Sequence, residues 1–162
     1  MESLWAPWRM DYIVSDKSGE CIFCTGPEAS DDREKKILYR GKHSFVVINI
    51  YPYSNGHLMV APYRHLDCLT QLNENELVEM AQLIQKSTEI LRQSSAPDGF
   101  NIGYNIGKSG GAGFDAHIHA HIVPRWTGDI NFMPVLADTK VIPEHLEETY
   151  NRLLPLFQNL KI

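Results

Sequence analysis

Apolar and polar residues alternate along this chain in two rhythms, and the rhythms divide it into strands and helices. Ile37-Leu-Tyr39 and Ser44-Phe-Val-Val-Ile-Asn-Ile50 are β-branched and aromatic runs separated by Gly41, which predicts a hairpin. Tyr51-Pro-Tyr-Ser-Asn-Gly56 carries turn residues, and His57-Leu-Met-Val-Ala-Pro62 predicts a third strand stopped by proline. The period then lengthens. Leu77, Met80, Ala81, Ile84 and Leu91 trace a helical stripe behind Asn73, which stands ahead of Glu76 at capping-box spacing. This helix is expected to stop before Pro97-Asp-Gly99. Phe100 to Ile106 predicts a fourth strand, and a Gly-rich connection, Gly107 to Gly113, leads to a fifth at His117 to Val123. A second helix is expected after Pro143, running to about Leu160, with His145 in its first turn. Ala29 to Lys36 reads as an exposed polar loop. Residues 1–20 read as an irregular lead-in anchored by Trp5, Trp8 and Tyr12, and residues 21–162 as a single domain with a C-terminal helix. The class is α+β, with a mostly antiparallel sheet of about five strands and two main helices.

A length of 162 residues, 43% of them hydrophobic, suits one domain with a substantial core. The formal net charge of −5 comes without any Lys/Arg-rich run, which argues against a binder of DNA or RNA. A small anionic ligand stays open, because a local site can be positive on a negative molecule. Met1 to Ile13 lacks the apolar core of a secretory leader, and no segment approaches the roughly 20 apolar residues that span a bilayer. The expectation is a cytoplasmic protein without membrane contact. Cys21-Ile-Phe-Cys24 suits that compartment as half of a metal site or as a redox pair. A redox pair belongs at a helix N-terminus. The residues before Cys21 read as a turn, which favours metal over redox, and two buried core cysteines are the remaining alternative.

His117, His119 and His121 alternate with Ile118, Ala120 and Ile122. In a strand this pattern puts three imidazoles on one face and the apolar residues on the other. Solvated histidines on a polar face, or ligands of a metal ion, are the alternatives to catalysis. The Gly-rich connection just before the row tilts the balance. Small residues let backbone N–H groups close around an anion, so a phosphate cradle feeds straight into a row of imidazoles.

His117-Ile-His-Ala-His-Ile-Val123 with Pro124-Arg125, together with Asn55-Gly-His57 and Leu58 to Pro62, resembles the two recurring stretches of the histidine-triad (HIT) family. The resemblance covers about Cys21 to Pro124. The flanks Leu4 to Tyr12, Asn49 to Tyr53, Asn101 to Asn105, Pro124 to Trp126, and Asn131-Phe132 resemble the branch of bacterial diadenosine tetraphosphate phosphorylases. The resemblance implies that His119 is the nucleophile, that His121 lines the α-phosphate, and that His57 supports the triad. It implies a nucleotide site built from Asn49 at the ribose, Asn105 and Gly107, Ser109, Gly111 and Gly113 at the phosphates, and Trp126 beside them. Many members carry Gln just ahead of the triad where this chain has Ala112-Gly113, which shifts the load to backbone N–H groups. It further implies a structural zinc on Cys21, Cys24, His65 and His117, with Cys68 and His43 as substitutes. A homodimer or higher homo-oligomer is also implied.

A neutral imidazole brings a lone pair to an anionic phosphoanhydride without adding negative charge. A nucleotidyl-histidine intermediate divides one hard transfer into two easier ones. The second acceptor sets the activity. Inorganic phosphate makes a phosphorylase, which the flanks favour; water makes a hydrolase, and AMP conjugates as substrates make a phosphoramidase. A nucleotide sensor without turnover and a zinc-dependent structural adaptor are the non-catalytic readings. The nucleophile is expected in a solvent-reachable cleft, with the base in an apolar slot near Phe45, Val47 and the strand from His57 to Pro62.

Overall fold

The computed structural model describes residues 21–28, 31–111, 116–129 and 142–161. The lead-in with Trp5, Trp8 and Tyr12, the residues Ala112 and Gly113, and Asn131-Phe132 lie outside them. Five strands form one antiparallel sheet: β1 (Ile37–Arg40), β2 (Ser44–Ile48), β3 (Leu58–Pro62), β4 (Gly99–Tyr104) and β5 (Ala120–Arg125). Their spatial order is β1-β2-β3-β5-β4, so β5 inserts between β3 and the edge strand β4. Three helices accompany it: α1 (Ile22–Glu28), α2 (Glu74–Ser95) and α3 (Leu146–Gln158).

Alternation along the strands gives the sheet two unlike faces. Val46, Ile48, Leu58, Val60, Ala120 and Ile122 point to one side, where Met80, Leu83, Ile90 and Leu91 of α2 and Tyr150, Leu153 and Phe157 of α3 cover them. On the other side Phe45, Val47, Met59 and Ala61 join Ile37 and, from α1, Phe23. The register pairs Met59 with His121 and Gly103 with His121, which brings the end of the histidine row onto this second face.

Several expectations need correction. The fifth strand begins at Ala120, so only His121 of the three histidines lies in it, and His117 and His119 stand in the extended segment that enters it. That segment is anchored by the Ile118 N–H, which donates to the Leu66 carbonyl at 2.5 Å. The sequence pattern assigns no element to Cys21 through Glu28, and α1 forms there with Pro27 inside it. The capping box of α2 is present as expected, with both Asn73 and Glu76 reciprocating. Its buried stripe is different: Glu76, Met80, Leu83, Ser87, Ile90 and Leu91 face inward, while Leu77 is 46% exposed. Polar residues occupy two inward positions, Glu76 and Ser87, and among the described residues Glu76 is the one with polar partners there. Glu76 accepts both ends of the Arg64 guanidinium at 2.6 Å besides closing the cap. The last helix begins at Leu146, with His145 as its exposed N-cap rather than in its first turn.

Glu144 fastens that helix to the β2–β3 turn. Its carboxylate accepts from Arg152 at 2.7 and 3.1 Å, from Thr149 Oγ1 at 2.6 Å and from Asn55 Nδ2 at 3.1 Å. Hydrogen bonding to Arg152, then to Thr149 and Asn55, outweighs partial burial and pulls its pKa from 4.5 to about 2. Among the described residues no helix is long and apolar enough to cross a membrane.

Candidate functional site

The β2–β3 turn closes on His57. The Asn49 N–H donates to the His57 carbonyl at 2.9 Å, and Asn49 Oδ1 accepts from the Tyr51 N–H at 2.9 Å, an Asx turn that curls the backbone inward. His57, fully buried, then receives two donors at Nδ1: the Tyr53 N–H at 3.0 Å and Asn49 Nδ2 at 3.3 Å. A nitrogen that accepts carries no hydrogen, so the His57 proton sits on Nε2. From there it is donated to His121 Nδ1 at 2.9 Å. That acceptance leaves the His121 proton on Nε2, which lies 3.4 Å from Asn105 Nδ2 and can donate to this carboxamide once the amide is turned over to present Oδ1. Two imidazoles thus pass a fixed orientation from a backbone N–H to an outward-facing N–H on the site face.

His119 is oriented by the opposite kind of group. Its Nδ1–H donates to the His117 carbonyl at 2.8 Å, which leaves the lone pair on Nε2. Burial, opposed by this hydrogen bond, holds its pKa below the ordinary value, so the ring is neutral at pH 7. Its ring meets His121 edge-on at 4.8 Å between centroids. The open cleft expected around His119 is not what forms. The residue is 5% exposed, because Phe23 stacks on it at 4.5 Å. Phe23, Phe45 and Val47 are themselves packed together, so the apolar surface expected to hold a base is covered by the chain's own side chains.

A second constellation adjoins the first. Cys21 Sγ and Cys24 Sγ lie 3.3 and 3.6 Å from His117 Nδ1, and Cys24 Sγ lies 3.3 Å from His65 Nδ1. All four ligand atoms fall within 4.8 Å of one another. His117 donates Nε2–H to the Pro62 carbonyl at 2.9 Å, which leaves Nδ1 with its lone pair toward the thiols. Burial, with the neighbouring His65 and His119 adding to it, pushes its pKa down to about 4 despite that hydrogen bond. Two thiols and two imidazoles, one of them locked in the ligating tautomer, fit a tetrahedral metal such as zinc. Cys68 and His43 do not belong to this cluster.

A cavity of about 270 Å³ opens beside His121, lined by Tyr53, Asn101, Ile102, Gly103, Tyr104, Asn105 and Val123. Gly107 and Gly111 bracket the adjoining loop at φ +68° and +80°, left-handed conformations that favour glycine, with Ser109 exposed between them. Gly113 lies outside the described residues. Trp126 is not brought to the histidines within this chain. It follows the far end of β5, where its indole N–H donates to the Ser95 carbonyl at 3.2 Å. Sequence reasoning missed Tyr53 and Phe23. Tyr53 supplies the backbone donor to His57, and its ring lies 4.8 and 5.8 Å from those of His57 and His121. Its place two residues beyond Tyr51 in a turn gave no chemical signal. Phe23 was hidden inside the Cys-x-x-Cys spacing.

The HIT domain family matches residues 30–128. The chain is 40% identical over 163 residues to the AP-4-A phosphorylase of Mycobacterium tuberculosis, covering 95% of this chain and 83% of that protein. It is 26% identical over 122 residues to the asymmetrical bis(5'-nucleosyl)-tetraphosphatase of Schizosaccharomyces pombe, covering 75% of this chain and 63% of that one. Among solved structures, a Zn-bound histidine triad family protein from Mycobacterium smegmatis superimposes with a TM-score of 0.67 at 27% identity. That alignment spans 86% of this chain and 94% of the other.

Proposed function

The chain belongs to the HIT domain family, and on that premise we propose that it is a nucleotidyl-transferring enzyme that phosphorolyses diadenosine tetraphosphate. The observation that carries this reading is the His119 imidazole, whose Nδ1–H is committed to the His117 carbonyl so that Nε2 keeps its lone pair. In the first half-reaction Nε2 bonds to an α-phosphorus and the bond to the bridging oxygen breaks, which releases ATP and leaves AMP on His119. In the second, an oxygen of inorganic phosphate bonds to that phosphorus, the P–N bond breaks, and ADP departs. The His121 Nε2–H supplies a donor where charge grows on the non-bridging oxygens. Removing one such donor typically costs about 3–4 kcal/mol of barrier. His57 holds that donor in its tautomer. Asn105 and the loop at Gly107, Ser109, Gly111 and Gly113 receive the phosphates in this reading. Asn49 reads the ribose.

Cys21, Cys24, His65 and His117 would hold a zinc ion, which supplies structural cross-linking when bound. The chain acts in the cytoplasm as a homodimer or higher homo-oligomer. The outer position of β4, with Ile102 and Ile106 exposed, suits pairing of one chain with another.

Product analysis on diadenosine tetraphosphate, with and without inorganic phosphate, tests the reading. ATP plus ADP that requires phosphate is the expected result. ATP plus AMP irrespective of phosphate would make the chain a hydrolase. Nucleotide binding without turnover would make it a sensor.

A further inference from the structure

The metal-ligating segment and the nucleophile are in direct contact. Phe23 stands between Cys21 and Cys24, 2% exposed, with its ring stacked on His119 at 29° and tilted against His117 at 5.3 Å. It belongs, among the described residues, to one buried cluster with Ile37, Phe45, Val47, Met59 and Ala61. Among the described residues His119 has one polar anchor, the His117 carbonyl, one stacked plate, the Phe23 ring, and the His121 ring at its edge. The anchor and the plate lead to the same four residues. His117 turns its Nδ1 to the thiols and its carbonyl to His119, and Phe23 is flanked by the two thiols themselves. Helix α1 has only seven residues with a proline among them, too short to hold its place by helix formation alone. Its position is set by packing, by the Arg40 guanidinium that donates to the Pro27 carbonyl at 2.7 Å, and by whatever joins Cys21 and Cys24 to His65 and His117.

We propose that Phe23 is a positioning residue for His119, and that metal binding by Cys21, Cys24, His65 and His117 holds the Phe23 ring in place, so that occupancy of this centre governs the rate of nucleotidyl transfer. The inference rests on His119 being the nucleophile. One hydrogen bond at Nδ1 leaves an imidazole free to swing about the N–H···O axis, and a ring stacked on its face removes that swing. An in-line displacement needs the Nε2 lone pair aimed along the bond that breaks, and small errors in aim cost large factors in rate. Phe23 has no polar atom with which to bind substrate. Its loss therefore lowers kcat and leaves KM nearly unchanged.

The test uses the zinc-loaded chain and Phe23→Leu, which keeps apolar bulk in the cluster and removes the aromatic plate. Phe23→Leu is expected to retain its zinc and to lose on the order of 10- to 100-fold in kcat, with KM within about twofold. The ring-proton resonances of His119, shifted upfield by the stacked Phe23, are expected to move downfield in this variant. Removing zinc from the wild-type chain with a chelator is expected to move them the same way. Unchanged kcat in zinc-loaded Phe23→Leu would overturn the proposal. So would a rise in KM without loss of kcat, which would make Phe23 a wall of the nucleotide pocket. So too would His119 resonances that stay in place when zinc leaves the wild-type chain. Failure of the wild-type chain to form a nucleotidyl-histidine overturns the reading of His119 as nucleophile, and the resonance measurement still decides whether Phe23, His119 and the metal are coupled.

Discussion

At the scale of single residues, chemistry and packing part company at His119. Its imidazole packs against Phe23 of α1 and donates to a carbonyl within its own segment, so no distant element among the described residues depends on it for a hydrogen bond. His119→Ala is expected to lose at least about 10³-fold in kcat, as nucleophile removals do. The folded structure, read by circular dichroism and thermal melting, is expected to persist. A tenth of wild-type activity in this variant would exclude His119 as the nucleophile. Much of this was legible in the sequence. Strict alternation named the three histidines, and the family resemblance singled out His119 and set His57 beside them. The tautomers were not legible, because they depend on partners far along the chain: His57 meets His121 across 64 positions, and His117 meets the Pro62 carbonyl across 55. Burial of His119 was not legible either. It comes from a short helix that proline-bearing sequence does not advertise.

At the scale of elements, α2 separates what periodicity reveals from what it conceals. The capping box was plain in Asn73 and Glu76, but a stripe drawn from apolar residues alone took in Leu77 and skipped Leu83. The inward face contains Glu76 and Ser87, so polarity masked its true phase. Leu83→Ala removes fully buried volume and is expected to cost about 2–5 kcal/mol of stability, whereas Leu77→Ala should stay within about 0.5 kcal/mol of wild type. Chemical denaturation of the two variants checks the assignment; equal losses would restore the original stripe. The clamp of α3 responds to pH. The Glu144 pKa is depressed in the folded chain, so its stabilisation is full above 4.5 and disappears as pH falls toward about 2. Glu144→Gln is expected to lose about 1–3 kcal/mol at pH 7, the scale of hydrogen bonds to a charged group. Melting curves of variant and wild type should converge as pH drops from 4.5 toward 2. A constant gap across that window would remove Glu144 from the account.

At the scale of the whole molecule, the sheet keeps its two jobs on opposite sides. One face buries the core beneath α2 and α3, and the other carries the histidines and the thiols. The purified chain is expected to contain about one zinc per molecule by elemental analysis. Cys21→Ser should lower the melting temperature by roughly 6–12 °C, the equivalent of about 3 kcal/mol in a chain of this size. Nucleotide affinity should change far less. Metal-free protein from a chelator-free preparation would retire the zinc. The proton positions in the site have a different origin, since each begins at the main chain: the Tyr53 N–H, the Pro62 carbonyl and the His117 carbonyl. Every amino acid brings a carbonyl, and every one but proline brings an N–H. Codon changes at positions 53 and 62 can therefore reshape the surroundings of the histidines while the hydrogens stay where they are, with proline at 53 the exception that removes the donor. The polarity of the site is inherited with the backbone path at these positions, and their side chains can drift without moving a proton.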